Sequence, residues 1–177
     1  MTLLRESDAA LIGGGDAVFS PDRLYRYSLT RQWSLARPMT LIMLNPALAD
    51  AQRDDATIRR CLAFARRERC GSLEVVNLFA LRSKDPAALR SHPEPVGEDN
   101  DVFIAAACPP GRLVVAAWGV HGAMFGRAAE VAAMLAARGV PLLCLGVTAD
   151  GAPRHPLYVR GDQRLEPWPT WRAVTAP

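Results

Sequence analysis

The sequence has few histidines, no Cys-x-x-Cys pair and no long apolar run, and each absence excludes a class of protein. Three histidines and four cysteines are spread along the 177 residues. No cysteine has a histidine at the spacing of a metal site. We therefore expect no metal at the cysteines, and we expect these thiols to be buried or half-buried in a reducing cytosol.

Targeting signals are also missing. The first 20 residues contain no basic stretch followed by an apolar one, so the sequence predicts no signal peptide. No apolar run approaches the length of a membrane span. The expected location is the cytoplasm, and no membrane partner is expected.

The composition is that of an ordinary globular protein. Hydrophobic residues make up 50% of the chain and charged residues 22%, which is enough apolar material for one core. The net charge of +3 is compatible with nucleic acid or an anionic ligand as partner but indicates neither. The oligomeric state stays open.

The pattern of apolar runs predicts the fold. Residues 1–20, with three consecutive glycines, are expected to be a loosely ordered lead-in, and residues 21–177 a single α/β domain. Alternation at residues 25–30 predicts an edge strand, and continuous apolar runs at 40–44, 73–81, 112–119 and 140–146 predict buried strands separated by helices. The expected fold is a three-layer sandwich: a central, mainly parallel four-stranded sheet flanked by helices, plus an N-terminal edge strand.

Unusual polar residues follow these predicted strands. The carboxyl ends of parallel strands meet at one edge of a sheet, where ligands collect in α/β folds. We therefore expect one pocket there. Its candidate residues are Asn45 and Pro46, Asn77 with Phe79 and Arg82, Trp118 with His121, and Arg154, His155 and Tyr158.

Each candidate also has an ordinary structural explanation. Asn before Pro is common in turns, Trp118 suits a core, and His155 suits a surface loop. The acids Asp50, Asp54 and Asp55 suit a helix start, although Asp50 and Asp55 could also seat a divalent cation. The arginines of the following helix, Arg59, Arg60, Arg66 and Arg67, could be a solvated face or a phosphate-binding one.

Four stretches resemble a bacterial family grouped as domain of unknown function 1643. They are "IMLNPALADAQRDDATIRRCLAFARR", "VVNLFALR", "AAWGVHG" and "LGVTADGAPRHPLY". The resemblance runs from about Leu24 to Tyr158. That family usually has Ser after Asn-Pro, where this chain has Ala47. The family name implies no activity.

The same stretches resemble, more distantly, the uracil-DNA glycosylase superfamily. This resemblance implies a similar sheet and a water-positioning Asn45, a base-reading Asn77 and a His155 that donates to the departing base. The chain departs from that pattern before Asn45, where Met43-Leu44 replaces glycine. It departs again after Pro156, where the loop reads Leu157-Tyr158-Val159-Arg160.

The sequence thus yields one main hypothesis and two alternatives. The main one is hydrolysis of an N-glycosidic bond in a nucleobase-containing small molecule or nucleic acid, without cofactor or metal. The alternatives are a noncatalytic nucleic-acid or nucleotide binder, and a metal-dependent hydrolase that uses Asp50 and Asp55. Expected catalytic residues are Asn45, His155 and Asp55; expected substrate-binding residues are Pro46, Asn77, Phe79, Arg82, Trp118, His121, Arg154 and Tyr158.

Overall fold

The structure, a computed structural model, describes residues 2–8, 13–47 and 49–169. Within these ranges eight strands form one sheet in the order β1-β2-β3-β5-β4-β6-β7-β8. Along the chain they are β1 (Leu4–Ser7), β2 (Gly15–Phe19), β3 (Arg26–Gln32), β4 (Pro38–Met43), β5 (Ser72–Asn77), β6 (Leu113–Ala116), β7 (Leu143–Cys144) and β8 (Glu166–Pro167).

Helices connect the later strands. They are α1 (Ala56–Arg67), α2 (Ala88–Ser91), α3 (Asn100–Ala107) and α4 (Arg127–Ala137), with 3-10 segments at Val120–Gly126 and Pro156–Tyr158. Helix α1 joins β4 to β5, which are paired in parallel with Met43 beside Asn77. The chain therefore crosses over one face of the sheet between them, and both strands end at the same edge.

The sheet topology that the sequence predicts is wrong. The sheet is mixed, and antiparallel ladders join β1 to β2, β2 to β3, β3 to β5 and β7 to β8. Parallel ladders join only β4 to β5, β4 to β6 and β6 to β7. The class is still α/β, but four of these seven ladders are antiparallel. A central, mainly parallel four-stranded sheet with a single N-terminal edge strand is therefore excluded.

Burial explains why the sequence pattern misled. The alternation around β3 predicts an edge strand with one wet face, but β3 pairs with β2 on one side and β5 on the other, and Arg26 and Ser28 are buried. Strands β1 and β2 lie in the range that the sequence assigns to a loosely ordered lead-in. Strand β8 has only two residues, too few for a sequence pattern.

Two apolar clusters cover the two faces of the sheet. Neighbouring residues of β4, Leu41 and Ile42, belong to different clusters, as the alternation of side chains in a strand requires. The cluster with Leu41 includes the buried side of α1, and the one with Ile42 includes residues of α3 and α4. Residues at the carboxyl ends of β4 and β5 are thus held between packed layers.

The four cysteines lie within these clusters, and all are buried. Burial raises the pKa of the Cys61 and Cys108 thiols to about 12. These thiols are therefore protonated at neutral pH and act as apolar core groups. Among the described residues, no helix combines the length and apolar character needed to cross a membrane.

Candidate functional site

A pocket of about 450 Å³ lies beyond the carboxyl ends of β4, β5 and β6. This volume is within the range usual for small-molecule sites. Its wall includes the following residues named by the sequence analysis: Asn45, Asp55, Asn77, Trp118, His121, Arg154, His155 and Tyr158. The structure thus brings together eight of the eleven candidates, from four separate parts of the chain.

Three candidates do not line this pocket. Phe79 is fully buried in the core, with its ring edge-on to Phe125. Arg82 donates to the carbonyl oxygen of Arg23 and stacks over Phe19. The carbonyl of Pro46 accepts from the backbone N–H of Ser83, 2.9 Å away. These three residues support neighbouring segments instead.

Asn45 holds two loops together. Its Nδ2 donates to the carbonyl oxygens of Ser83 at 2.8 Å, Pro46 at 3.2 Å and Leu81 at 3.4 Å. These bonds tie the loop after β4 to the loop after β5. They also fix the orientation of the amide, so that Oδ1 is its remaining acceptor. An oxygen held in this way can accept a hydrogen bond from a water molecule.

Asn77 ends β5 with a buried amide. The residue is 1% exposed, and its Nδ2 has no hydrogen-bond partner among the described residues. A buried donor without a partner is rare and costly. Because Asn77 lines the pocket, its unpaired amide lies next to the space that a ligand would occupy.

The backbone beside Asn77 is fixed from α3 and α4. The side chain of Asn100 donates to the carbonyl oxygens of Asn77 and Leu78, both at 3.0 Å. Nε of Arg127 donates to the same Leu78 oxygen at 2.9 Å. Both side chains are buried, so the end of β5 is held without using the Asn77 side chain. The sequence analysis assigned no role to Asn100 or Arg127, because nothing local indicates which strand end a helix supports.

His155 faces the pocket with a defined tautomer. Its Nδ1 accepts from the backbone N–H of Leu157 at 3.3 Å, so the proton of the neutral ring lies on Nε2. Burial lowers the pKa of His155, and the negative charge of Asp55 acts in the opposite direction. The ring is therefore neutral at pH 7 and offers Nε2–H as a donor.

Arginines of α1 anchor the loop that carries His155. Arg60 donates to the carbonyl oxygens of Pro156 and Val159, the latter at 2.6 Å. Arg67 donates to the carbonyl of Gly161 at 2.6 Å, and both guanidinium groups stack on Phe64. Arg59 also donates to a backbone carbonyl, that of Asp54 at 2.6 Å. Three of the four arginines thus bind the chain itself, which leaves this face less able to bind phosphate.

Gly119 allows the backbone to turn beneath this loop. Its φ of 73° and ψ of −170° are essentially restricted to glycine. Its N–H donates to the carbonyl of Pro153 at 2.9 Å, and an added Cβ would lie 3.6 Å from Cβ of His155. The Trp118-Gly119 pair therefore shapes the pocket wall next to His155. Trp118 itself is 2% exposed and packs edge-on against Trp168.

The acid turn, residues 50–55, uses its carboxylates within the chain. Asp50 accepts from the N–H groups of Gln52 and Arg53, and Asp54 pairs with Arg31 at 2.8 Å. Asp55 caps α1 by accepting from the N–H of Ile58 at 2.9 Å. Only Asp55 of the three also lines the pocket. In the part of the chain that the structure describes, no three His, Cys, Asp or Glu side chains are grouped to hold a metal ion.

Arg26 is a pocket residue that the sequence did not indicate. It lies in β3 and is 2% exposed, and its Nη1 donates to the carbonyl of Ala49 at 2.7 Å. Its Nε has no partner among the described residues. Arg26 and Asn77 together are called the pocket floor below. Alternation in the sequence places Arg26 on a wet face, so no sequence signal could have identified it.

The charges around the pocket are predominantly positive. Arg26, Lys84 and Arg154 line it, with Asp55 as the opposing carboxylate. Lys84 and Arg154 are exposed at the mouth, whereas Arg26 is buried. This distribution favours a ligand that carries negative charge or several acceptor oxygens.

A family model described as a protein of unknown function (DUF1643) matches residues 26–157. The chain belongs to this family. The match begins at Arg26 and includes Asn45, Asn77 and His155, so the DUF1643 region contains both the pocket floor and the loop facing it. No curated protein and no solved structure matches the chain. The family description assigns no activity.

Proposed function

We propose that this DUF1643 protein hydrolyses an N-glycosidic bond in a nucleobase-containing substrate. The observation that carries the proposal is the buried, unpaired Nδ2 of Asn77 in the wall of a pocket that also contains Asn45 and His155. An amide donor at the bottom of a pocket suits a carbonyl oxygen on the edge of a base. The motif order shared with uracil-DNA glycosylases implies the same roles.

Each of the three residues can act on a different part of the reaction. Oδ1 of Asn45 can hold a water molecule at the sugar, because Nδ2 of that residue is bound to backbone carbonyls. Nε2–H of His155 can donate to the base oxygen on which negative charge develops, as donors of an oxyanion hole do. Asn77 can orient the base by its edge.

The reaction balances with one water molecule. The bond between the sugar C1′ and the base nitrogen breaks, and its electron pair leaves with the base. The water oxygen bonds to C1′, one water hydrogen stays as the new hydroxyl, and the other proton ends on the base through solvent. No residue has to become covalently attached to the substrate.

The alternatives have weaker support. Arg60 and Arg67, two of the four arginines that motivated a phosphate-binding surface, donate to backbone carbonyls of the neighbouring loop. Asp50, one of the two acids that motivated a metal site, does not line the pocket and already binds two backbone N–H groups. A noncatalytic binder would use the Asn77 amide in the same way, so release of the free base distinguishes it from the proposed enzyme. A metal site at Asp50 and Asp55 leaves that amide unexplained.

A substrate panel tests the proposal. The protein is assayed on DNA containing uracil, hypoxanthine or mismatches, and on free nucleosides and nucleotides, with release of the free base as readout. We expect turnover on at least one of these classes and a large loss in a His155→Asn variant. No base release from any of them would contradict the proposal. Asn45→Ala is a poor control, because it also removes the bonds between two loops.

A further inference from the structure

Arg26 is a buried cation without a counter-ion in contact. Within the described residues it forms no ion pair, and its Nε has no hydrogen-bond partner. Burying a guanidinium group without an anion is expensive, and such a charge is normally paired or solvated. The arrangement is best explained if the partner comes from outside the chain.

The protein holds this side chain in place and leaves part of it free. Nη1 is bound to the carbonyl of Ala49, a residue that is 1% exposed. The bond fixes one end of the guanidinium group, and none of the residues that the structure describes provides an acceptor for Nε. Arg26 remains cationic at neutral pH, although burial lowers its pKa to about 10 against the opposing effect of Asp55.

The second unpaired donor of the pocket floor is the amide of Asn77. Strand β3, which carries Arg26, is the direct neighbour of β5, which ends in Asn77. Both residues line the same pocket, and both have a buried nitrogen without a partner. One cation and one amide donor together are suited to an oxygen that bears negative charge.

We infer that Arg26 and Asn77 form a subsite for an anionic oxygen of the base, and that Arg26 stabilises the negative charge of the departing base. This inference rests on the proposed function. When the bond from C1′ to the base nitrogen breaks, its electron pair passes to the base and is shared with the carbonyl oxygens of the base. A fixed cation at such an oxygen stabilises the transition state, in which this negative charge develops, more than the neutral substrate, as catalysis requires.

The test compares uracil with barbiturate, a similar planar ring that is an anion at neutral pH. Binding of each to the intact protein is measured by titration calorimetry. A charge-assisted hydrogen bond to a buried cation predicts that barbiturate binds about 10- to 100-fold more tightly than uracil. Equal binding of the two, stronger binding of uracil, or no binding of either would overturn the inference.

Variants assign the preference to Arg26. We expect Arg26→Gln to reduce barbiturate binding about tenfold or more while changing uracil binding little, and Arg26→Lys to keep part of the preference. Arg82→Gln is the matched control, because Arg82 also has a buried, unpaired Nε but lies outside the pocket. An unchanged preference in Arg26→Gln, or its loss in Arg82→Gln, would contradict the inference.

Folding and function are separated by further readouts. Circular dichroism establishes whether Arg26→Gln is folded; if it is not, Arg26→Lys and the comparison of ligands on the wild type decide. Base release without an anion preference would support the proposed function and remove this inference. An Arg26-dependent anion preference without base release would support the anionic-oxygen subsite, and would contradict both the proposed hydrolysis and the role of Arg26 in it.

Discussion

The acid turn and the pocket floor are both polar, but they use their hydrogen-bonding atoms in opposite ways. In the acid turn, Asp50, Asp54 and Asp55 each contact a group of the same chain. At the pocket floor, Nε of Arg26 and Nδ2 of Asn77 are buried and have no partner among the described residues. Satisfied carboxylates explain local structure, whereas two unsatisfied buried donors on residues of one pocket favour a ligand.

The largest effect on activity is expected when Asn77 loses its hydrogen-bond donor with little change in the shape of its side chain. Asn77→Asp replaces the amide nitrogen by an oxygen and presents an acceptor to the base. We expect kcat/KM to fall about 1000-fold, because a mismatched polar group in a buried site is strongly rejected. The measurement is base release on the best substrate of the panel.

We expect Asn77→Asp to change the stability of the fold much less than its activity. The end of β5 is held by Asn100 and Arg127 through backbone carbonyls, so Asn77→Asp should still fold. The carboxylate at this buried position should lower the unfolding midpoint moderately, which is far less than the expected effect on activity. Retention of activity within about tenfold would show that the Asn77 amide does not contact the reacting base.

The next largest effect is expected at His155. His155→Asn keeps a side-chain acceptor near the N–H of Leu157 and removes the Nε2 donor, so kcat should fall about 100-fold. His155→Gln places an amide nitrogen near the position of Nε2 and should recover part of the activity. Equal activities of the two variants would argue against a donor role for Nε2.

A smaller effect is expected from pH. Burial lowers the pKa of His155 below 6.5, and the charge of Asp55 opposes this effect. The imidazole ring is therefore neutral above pH 6.5 and becomes protonated as the pH falls through the lowered pKa. Activity should then decline on the acid side, by at most about tenfold per pH unit for one proton. Activity that rises on acidification would contradict a neutral His155.

The same shift has a consequence for stability. An unfolded histidine takes up its proton at higher pH than His155 does in the fold. The stability that comes from keeping His155 neutral is therefore fully present above pH 6.5. It is lost as the pH falls from 6.5 through the lowered pKa of the folded state. Urea unfolding over this range, compared with His155→Asn, measures the difference.

The smallest effect on activity is expected in the acid turn. Asp50→Ala removes the acceptor for two backbone N–H groups and should lower the free energy of unfolding by about 1 kcal/mol. Because Asp50 does not line the pocket, kcat/KM should stay within about twofold. A large loss of activity without a loss of stability would instead favour a functional acid turn.

The site and the sheet differ in how far the sequence could predict them. Asn45, Asn77 and His155 follow apolar runs, so a local pattern was enough to name residues that the structure brings into one pocket. Strand pairing is different, because antiparallel partners such as β3 and β5 are recognised through contacts between residues far apart in sequence. Strand β7 lies within the apolar run 140–146 that predicts a strand, whereas the two-residue strand β8 is too short to give any periodic signal.

Arg26 also shows that a local sequence pattern cannot reveal contacts that form only in the fold. In sequence it alternates with apolar neighbours, which predicts exposure to solvent. In the fold the loop that contains Ala49 packs against its side chain, with the Ala49 carbonyl bound to Nη1, and Arg26 is 2% exposed. A buried cation of this kind becomes visible only when the tertiary contacts are known.

The most direct test of the pocket floor is a crystal structure of the wild-type protein with barbiturate. We expect the ring in the pocket, with oxygens about 3 Å from Nδ2 of Asn77 and Nε of Arg26. A ring bound elsewhere, or one in the pocket with both nitrogens bonded to ordered water instead, would contradict the assignment of the floor as a base subsite.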